Sequence, residues 1–298
     1  MNKPKVITAK SCLAYDAHGH PENSARVERT QDLLQRSGYH FIEATSCTEH
    51  DILRVHSHRH LETVRSGKFF DGDTPNLPAI FEHAKLAAGA AVQAAEFALH
   101  GHPAFSLMRP PGHHATRHQL MGFCYFNNIA IAVASVLESG TKPKSHDYDH
   151  GMAPKRVAIL DFDCHHGNGT EEIFHGHSNV LFVSLHQSPC YPGTGNTSNG
   201  NCINYPLPPH TGEKEYLVAL EDALRKIVAF HPDLLAVSAG FDAYREDPIT
   251  QMSLEVGTFE KIGKAIRTWK LPTFSVLEGG YSRRLPECIA AYLEGWVG

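Results

Sequence analysis

Val157-Ala158-Ile159-Leu160-Asp161-Phe162-Asp163-Cys164-His165-His166-Gly167-Asn168-Gly169 decides how this chain is read. Its first four residues form an unbroken apolar run, the mark of a strand covered on both faces. Two carboxylates and two imidazoles then follow within six residues. A packed core has no use for such a group, because unpaired buried charge is costly. A hydrolytic metal site does, since it needs three such side chains converging with one position left open.

Outward from this stretch, short apolar runs alternate with longer helical segments. The pattern predicts strands at 5–9, 104–108, 157–161, 180–186, 234–239 and 273–277. It predicts helices at 24–37, 80–100, 126–137, 213–230, 254–268 and 285–294. Such alternation implies an α/β protein built on an open, mostly parallel sheet with helices on both faces. With no linker, repeat or low-complexity tract, residues 1–298 read as a single domain. The polar stretch 139–155 reads as a surface loop. Its His146, Asp147, Asp149 and His150 leave a second metal site as the alternative.

Four unusual polar segments each begin where an apolar run stops. They are Arg109-Pro110-Pro111-Gly112-His113-His114, the segment Asp161–His166, Ala239-Gly240-Phe241-Asp242 and Glu278-Gly279-Gly280-Tyr281. In an open parallel sheet, ligands bind at the carboxyl ends of the strands. All four segments are therefore expected along one edge. Asp163 and His165 alternate on an extended segment and can point the same way. Asp242, closing another strand, is the best third ligand; a turn residue is its competing reading. Zinc accepts this nitrogen and oxygen set at roughly 2.0–2.2 Å. His113 and His114 follow a Pro-Pro-Gly turn, and each needs a partner on its second ring nitrogen. Asp161 and Asn168 are near enough to serve, and an Asp keeps its imidazole more basic than an Asn does. The Tyr281 hydroxyl can stabilise a developing oxyanion, or the ring can simply pack at a strand end.

Composition narrows the classes. The chain has 298 residues, 42% hydrophobic and 20% charged, as ordinary globular proteins do. A net charge of −5 gives no electrostatic footprint for nucleic acid. No apolar run of about 18 residues predicts a membrane span, and the first residues lack the apolar core of a signal peptide. Seven cysteines without a CxxC pair point to reduced thiols and a cytoplasmic setting. With 22 histidines, no single one carries weight alone.

Taken together, Arg109–Ala115, Gly122-Phe123-Cys124, Asp161–Gly169, Tyr191-Pro192-Gly193-Thr194-Gly195, Ala239–Asp242, Glu278–Tyr281 and the early His20-Pro21-Glu22 resemble the zinc-dependent histone deacetylase family over nearly the whole chain. Asn168 and the Glu278-Gly279-Gly280-Tyr281 form resemble its second class and the bacterial histone deacetylase-like amidohydrolases. The resemblance implies the arginase–deacetylase fold and one Zn2+ per chain held by Asp163, His165 and Asp242. It implies a catalytic histidine pair, His113 and His114, backed by Asp161 and Asn168, and a catalytic Tyr281. Gly122, Phe123 and Tyr191 would line an acyl-lysine tunnel, Arg26 would lie beside the acetate pocket and Asp73 at the rim. Structural potassium is implied at an inner site, formed by Asp161, Asp163, His165, Ser184 and Leu185, and at an outer site, formed by Phe174, His177 and Val180.

The implied reaction hydrolyses an N-acetyl amide of a lysine side chain, on a peptide or protein, or of a small amine. His114 would be general base and then acid, and His113 electrostatic support. An acetylpolyamine amidohydrolase is the alternative, although Ile249 stands after Asp247-Pro248 where a polyamine-selective relative has Glu. The segment 69–77, with Asp71 and Asp73, would then attract cationic substrates, or is merely a solvated loop. A ureohydrolase with two manganese ions is disfavoured by Gly167 and Tyr244, which replace its further carboxylates. A non-catalytic acyl-lysine binding module is disfavoured because Tyr281, both histidines and all three ligands are present.

Overall fold

The computed structural model describes residues 3–139 and 154–297. The loop and second metal site expected around His146, Asp147, Asp149 and His150 lie outside the described residues. Eight strands form one sheet: β1 (Lys5–Thr8), β2 (Phe41–Glu43), β3 (Ala104–Ser106), β4 (Val157–Asp161), β5 (Val180–Gln187), β6 (Cys202–Leu207), β7 (Leu234–Ala239) and β8 (Thr273–Leu277). Their order is β2-β1-β3-β8-β7-β4-β5-β6, and every pairing is parallel.

The six predicted strands are all present. The two additions, β2 and β6, are the edge strands. Neither carries the apolar run that marks a doubly covered strand: β2 is three residues, two half-buried and Glu43 exposed, and β6 contains Asn204 and Pro206. Every residue of β4, β5, β7 and β8 is buried. Since successive side chains point to opposite faces, both faces of this central region are covered.

The covering helices are α1 (Ala25–Arg36), α4 (Ile80–Leu99), α5 (Asn128–Ser139), α7 (Glu213–Ala229), α8 (Val256–Thr268) and α9 (Leu285–Val297). The helix α8 packs on α7 and α9, and α9 on α1. The helix α4 packs on α5, β1, β3 and β8. Its alanine-rich inner face, from Ala84 to Ala98, lets it sit close to the sheet. The described residues also form three short α-helices, α2 (Glu49–Leu53), α3 (His58–Ser66) and α6 (Asn168–Phe174), and a 3-10 turn at Lys10–Leu13.

One buried ion pair anchors the N-terminal segment beneath the site. Arg109, three residues past the end of β3, is fully buried. Its Nε and Nη2 donate to the two carboxylate oxygens of Glu22 at 2.6 and 2.9 Å. Its Nη1 donates to the carbonyls of Cys12 and Tyr15 at 2.9 and 2.7 Å. Burial alone would raise the Glu22 pKa, but the guanidiniums of Arg109 and Arg26 outweigh it and hold the carboxyl below its usual range. Breaking such a pair from one side strands a buried charge. Arg109→Met should therefore lose about 3 kcal/mol of stability in denaturant unfolding. Because the folded pKa is depressed, this stability is present above about pH 4.3 and disappears as pH falls through the folded value. Acidification below that point should cost the wild type more than the variant.

Candidate active site

The strands β3, β8, β7 and β4 are consecutive neighbours in the sheet. Their carboxyl ends carry the four polar segments, so the expected edge is one continuous rim. From it Asp163, His165 and Asp242 converge, all buried, with candidate ligand atoms within 4.8 Å of one another. His165 Nδ1 lies 3.1 Å from Asp163 Oδ1 and 2.9 Å from Asp242 Oδ2.

The carboxylates are oriented by backbone. Gly279 N–H donates to Asp163 Oδ2 at 2.7 Å, and Cys164 N–H to Asp242 Oδ1 at 2.8 Å. Asp242 Oδ2 receives no aligned donor although it is buried. Two buried carboxylates this close repel each other, and an unsatisfied buried oxygen is costly. A divalent cation among them offsets both. The oxygen and nitrogen donors fit zinc, and their number leaves a fourth position free. Glycine is required around them: a Cβ at Gly279 would come within 2.4 Å of Asp242 Oδ2, and one at Gly240 within 2.1 Å of Asp163 Oδ2.

The histidine pair stands beside this cluster. His113 Nδ1 is 3.0 Å from Asp161 Oδ2, and His114 Nδ1 is 2.8 Å from Asn168 Oδ1. Their different partners separate them electrically, as the sequence suggests. Burial by itself lowers the His113 pKa, but Asp161 and then Asp163 outweigh it and hold it at about 10. The charge of a bound cation would work against that elevation. Burial, reinforced by the neighbouring His113 and His165, keeps His114 well below the usual imidazole range.

Tyr281 faces the same space. Its ring lies under the Arg26 guanidinium, 4.7 Å from the centroid, and edge-on to Phe123 at 5.8 Å. A cavity of about 210 Å³ is lined by His113, His114, His165 and Tyr281 at its floor, with Gly122, Phe123, Tyr191, Ile249 and Asp73 toward the mouth. Tyr191 also meets the His114 ring edge-on at 5.2 Å.

The remaining predicted residues do not line the cavity. Arg26 lies behind the cavity, its Nε and Nη2 donating to the carbonyls of Gly280 and Glu278 at 2.7 and 2.5 Å. Asp71 caps its own turn, accepting the N–H groups of Asp73 and Thr74 at 3.0 and 2.8 Å. Asp161 sits in register between Ser184 and Ser238, and the Ser184 hydroxyl is 2.9 Å from His186 Nδ1. Phe174, His177 and Val180 surround the side chain of Asn201.

Two carboxylates take supporting roles that the sequence does not assign them. Glu278 is fully buried and accepts the N–H groups of Gly112 and His113 at 2.7 and 3.1 Å. Burial pushes it up to about 7. Asp247 accepts the N–H groups of Tyr281 and Ile249 at 2.7 and 3.1 Å. Glu278 had a signal, a carboxylate closing an apolar strand. Asp247, inside a loop and before a proline, had none beyond its proximity to Asp242.

The model of the histone deacetylase domain matches residues 20–296. A probable deacetylase of Methanothermobacter thermautotrophicus is 39% identical over 309 residues, covering 96% of this chain and 89% of that protein. The histone deacetylase-like amidohydrolase of Pseudomonas aeruginosa is 35% identical over 306 residues, covering 93% and 77%. The crystal structure of an acetylpolyamine aminohydrolase from Burkholderia pseudomallei superposes with a TM-score of 0.86 at 28% identity, covering 98% of each chain. A match of this extent, over a sheet edge carrying this residue set, means that the chain belongs to the histone deacetylase family.

Proposed function

We propose that this deacetylase binds one zinc ion through Asp163, His165 and Asp242 and hydrolyses N-acetyl amides of lysine side chains or small amines to free amine and acetate. One observation carries the reading. His165, one of the three converging ligands, lines a cavity together with His114 and Tyr281, which sets the ligand cluster at the wall of that cavity. Bound zinc would supply Lewis acidity and a more acidic water.

The chain's own groups do the rest. His114, neutral at physiological pH, accepts a proton at Nε2 and returns it to the departing amine; its Nδ1 is held by Asn168. His113, paired with Asp161, lends positive charge. The Tyr281 hydroxyl donates to the acyl oxygen as negative charge grows there. Phe123 and Tyr191 flank the acyl-amine stem and exclude water. The second-metal carboxylates of a ureohydrolase are absent at Gly167 and Tyr244, and among the described residues one three-ligand cluster occurs.

Substrate class is open between two sources of acyl amine. Asp73 at the mouth favours cationic amines, and the likeness to the Burkholderia protein favours acetylpolyamines. Ile249 lines the cavity next to Asp247-Pro248, where it adds no charge for a second ammonium. We therefore place acetyl-lysine first. An oxygen-rich inner potassium site around Asp161, Asp163, His165, Ser184 and Leu185 belongs to this reading. So does a reducing cytoplasmic setting, supported by seven unpaired cysteines. Among the described residues no helix is long and apolar enough to cross a membrane.

The test compares rates on an acetyl-lysine peptide, acetylputrescine and acetylspermidine, alongside metal analysis of the purified chain. Near-stoichiometric zinc and fastest turnover of the peptide are expected. Faster turnover of acetylputrescine would reverse the substrate order, and two manganese ions per chain would remove the proposal.

A pH experiment isolates His114. Asn168→Asp places a carboxylate against its Nδ1 and must raise its pKa. The acid limb of kcat/KM, which reports the free enzyme, should move to higher pH than in the wild type. A limb that stays where it is would discharge His114 as the titrating base.

A further inference from the structure

Three backbone carbonyls gather where α6 ends and β5 begins. Phe174 closes α6, His177 lies in the turn that follows, and Val180 opens β5. Carbonyls at a helix end have no intrahelical donor, and several aimed at one point form a cage suited to a monovalent cation.

Here the centre of that cage holds nitrogen. Asn201 Nδ2 donates to the carbonyl oxygens of Phe174, His177 and Val180 at 2.8, 3.2 and 2.9 Å. Which end of the amide points inward is fixed independently, because Asn201 Oδ1 accepts the Gly176 N–H at 2.7 Å. Reversing the amide would set oxygen against three carbonyl oxygens and nitrogen against an N–H. The main chain of Asn201 is also tied down, its carbonyl accepting the Phe182 N–H at 3.0 Å. Swinging the amide aside would give up its bonds to Phe174, His177, Val180 and Gly176 together.

We propose that the Asn201 carboxamide is a built-in substitute for the outer potassium ion. The positive end of its dipole satisfies the three carbonyls, and no cation enters between them. A point 2.8–3.2 Å from three carbonyl oxygens cannot hold both an amide nitrogen and an ion. The NH2 group brings two hydrogens to three acceptors, so the longest contact, to His177, is the shared one. The consequence reaches the active site through one short helix. The helix α6 starts at Asn168, the partner of His114, and ends at Phe174. In this chain the seat of that helix is fixed by a side chain and not by the ionic composition of the medium.

The test uses the full chain crystallised with thallous ion in place of potassium. The expected anomalous map has no peak in contact with the Phe174, His177 and Val180 carbonyls; a peak there overturns the proposal. The second arm is Asn201→Ala, melted in choline chloride without potassium or sodium. Loss of the amide should lower the melting temperature by about 2–4 °C, the shift that losing about 1 kcal/mol gives in a large domain. An unchanged melting temperature would mean that the amide holds nothing. If the variant does not fold, the thallium map of the wild type still decides.

Discussion

Asp163→Ala is expected to leave a folded protein that neither retains zinc nor hydrolyses acetyl amides. The substitution removes one ligand of three. It also removes the acceptor for Gly279 N–H at 2.7 Å and His165 N–H at 2.8 Å, the bonds that aim the neighbouring ligand segment. Loss of a group that merely orients a metal ligand costs about 10–100-fold in affinity or activity. Losing the ligand together with its orienting bonds should exceed that, with turnover reduced roughly a thousandfold or more. Metal analysis after gel filtration reads the first effect directly. Melting with and without a chelator gives a second reading, because a bound ion stabilises only the folded state. Chelation should lower the wild-type melting temperature and leave the variant's in place. Wild-type zinc content with wild-type turnover in this variant would dismiss the assigned site.

Tyr281→Phe should lose about 10²–10³ in kcat, the usual loss for one oxyanion donor, with zinc content unaltered. The structure makes the substitution unusually clean. The ring is held by the Arg26 guanidinium on one side and by Phe123 edge-on. Its backbone N–H is held by Asp247. None of these contacts uses the hydroxyl, so phenylalanine should occupy the same place and the loss should report the O–H alone. Hydroxamate affinity should fall by less than kcat, since the ligand cluster is untouched. Turnover equal to wild type would strip Tyr281 of its role.

Much of this was readable before any coordinates. The central strands announced themselves because a doubly covered parallel strand must be apolar throughout, and the four polar segments began where those runs ended. The edge strands β2 and β6 were not readable, since one of their flanks meets solvent and the apolar run dissolves. The helices α2 and α3 did carry start signals. Thr48 and Asp51 form a capping box, and Ser57 accepts the His60 N–H. Each is too short for a periodic face to emerge. The helix α6 was hidden because its first residue, Asn168, belongs to the chemical motif. At the site, residues with a chemical signature were legible. Those that act by receiving backbone N–H groups, Glu278 and Asp247, take their meaning from a partner more than 30 residues away in the chain. Spacing cannot express that.

The strand order has a consequence for biosynthesis. Because β8 and β7 lie between β3 and β4, a nascent polypeptide that has emerged only as far as β6 owns both flanks of its catalytic rim and nothing to bridge them. At about 5–20 residues per second, Asp163 leaves the ribosome several seconds before Asp242. During that interval it waits in water as an ordinary acid. Under the proposed function, cation capture would be a late, whole-molecule event: a product truncated before Thr273 would lack the wedge that closes the sheet and could not be rescued by supplying metal.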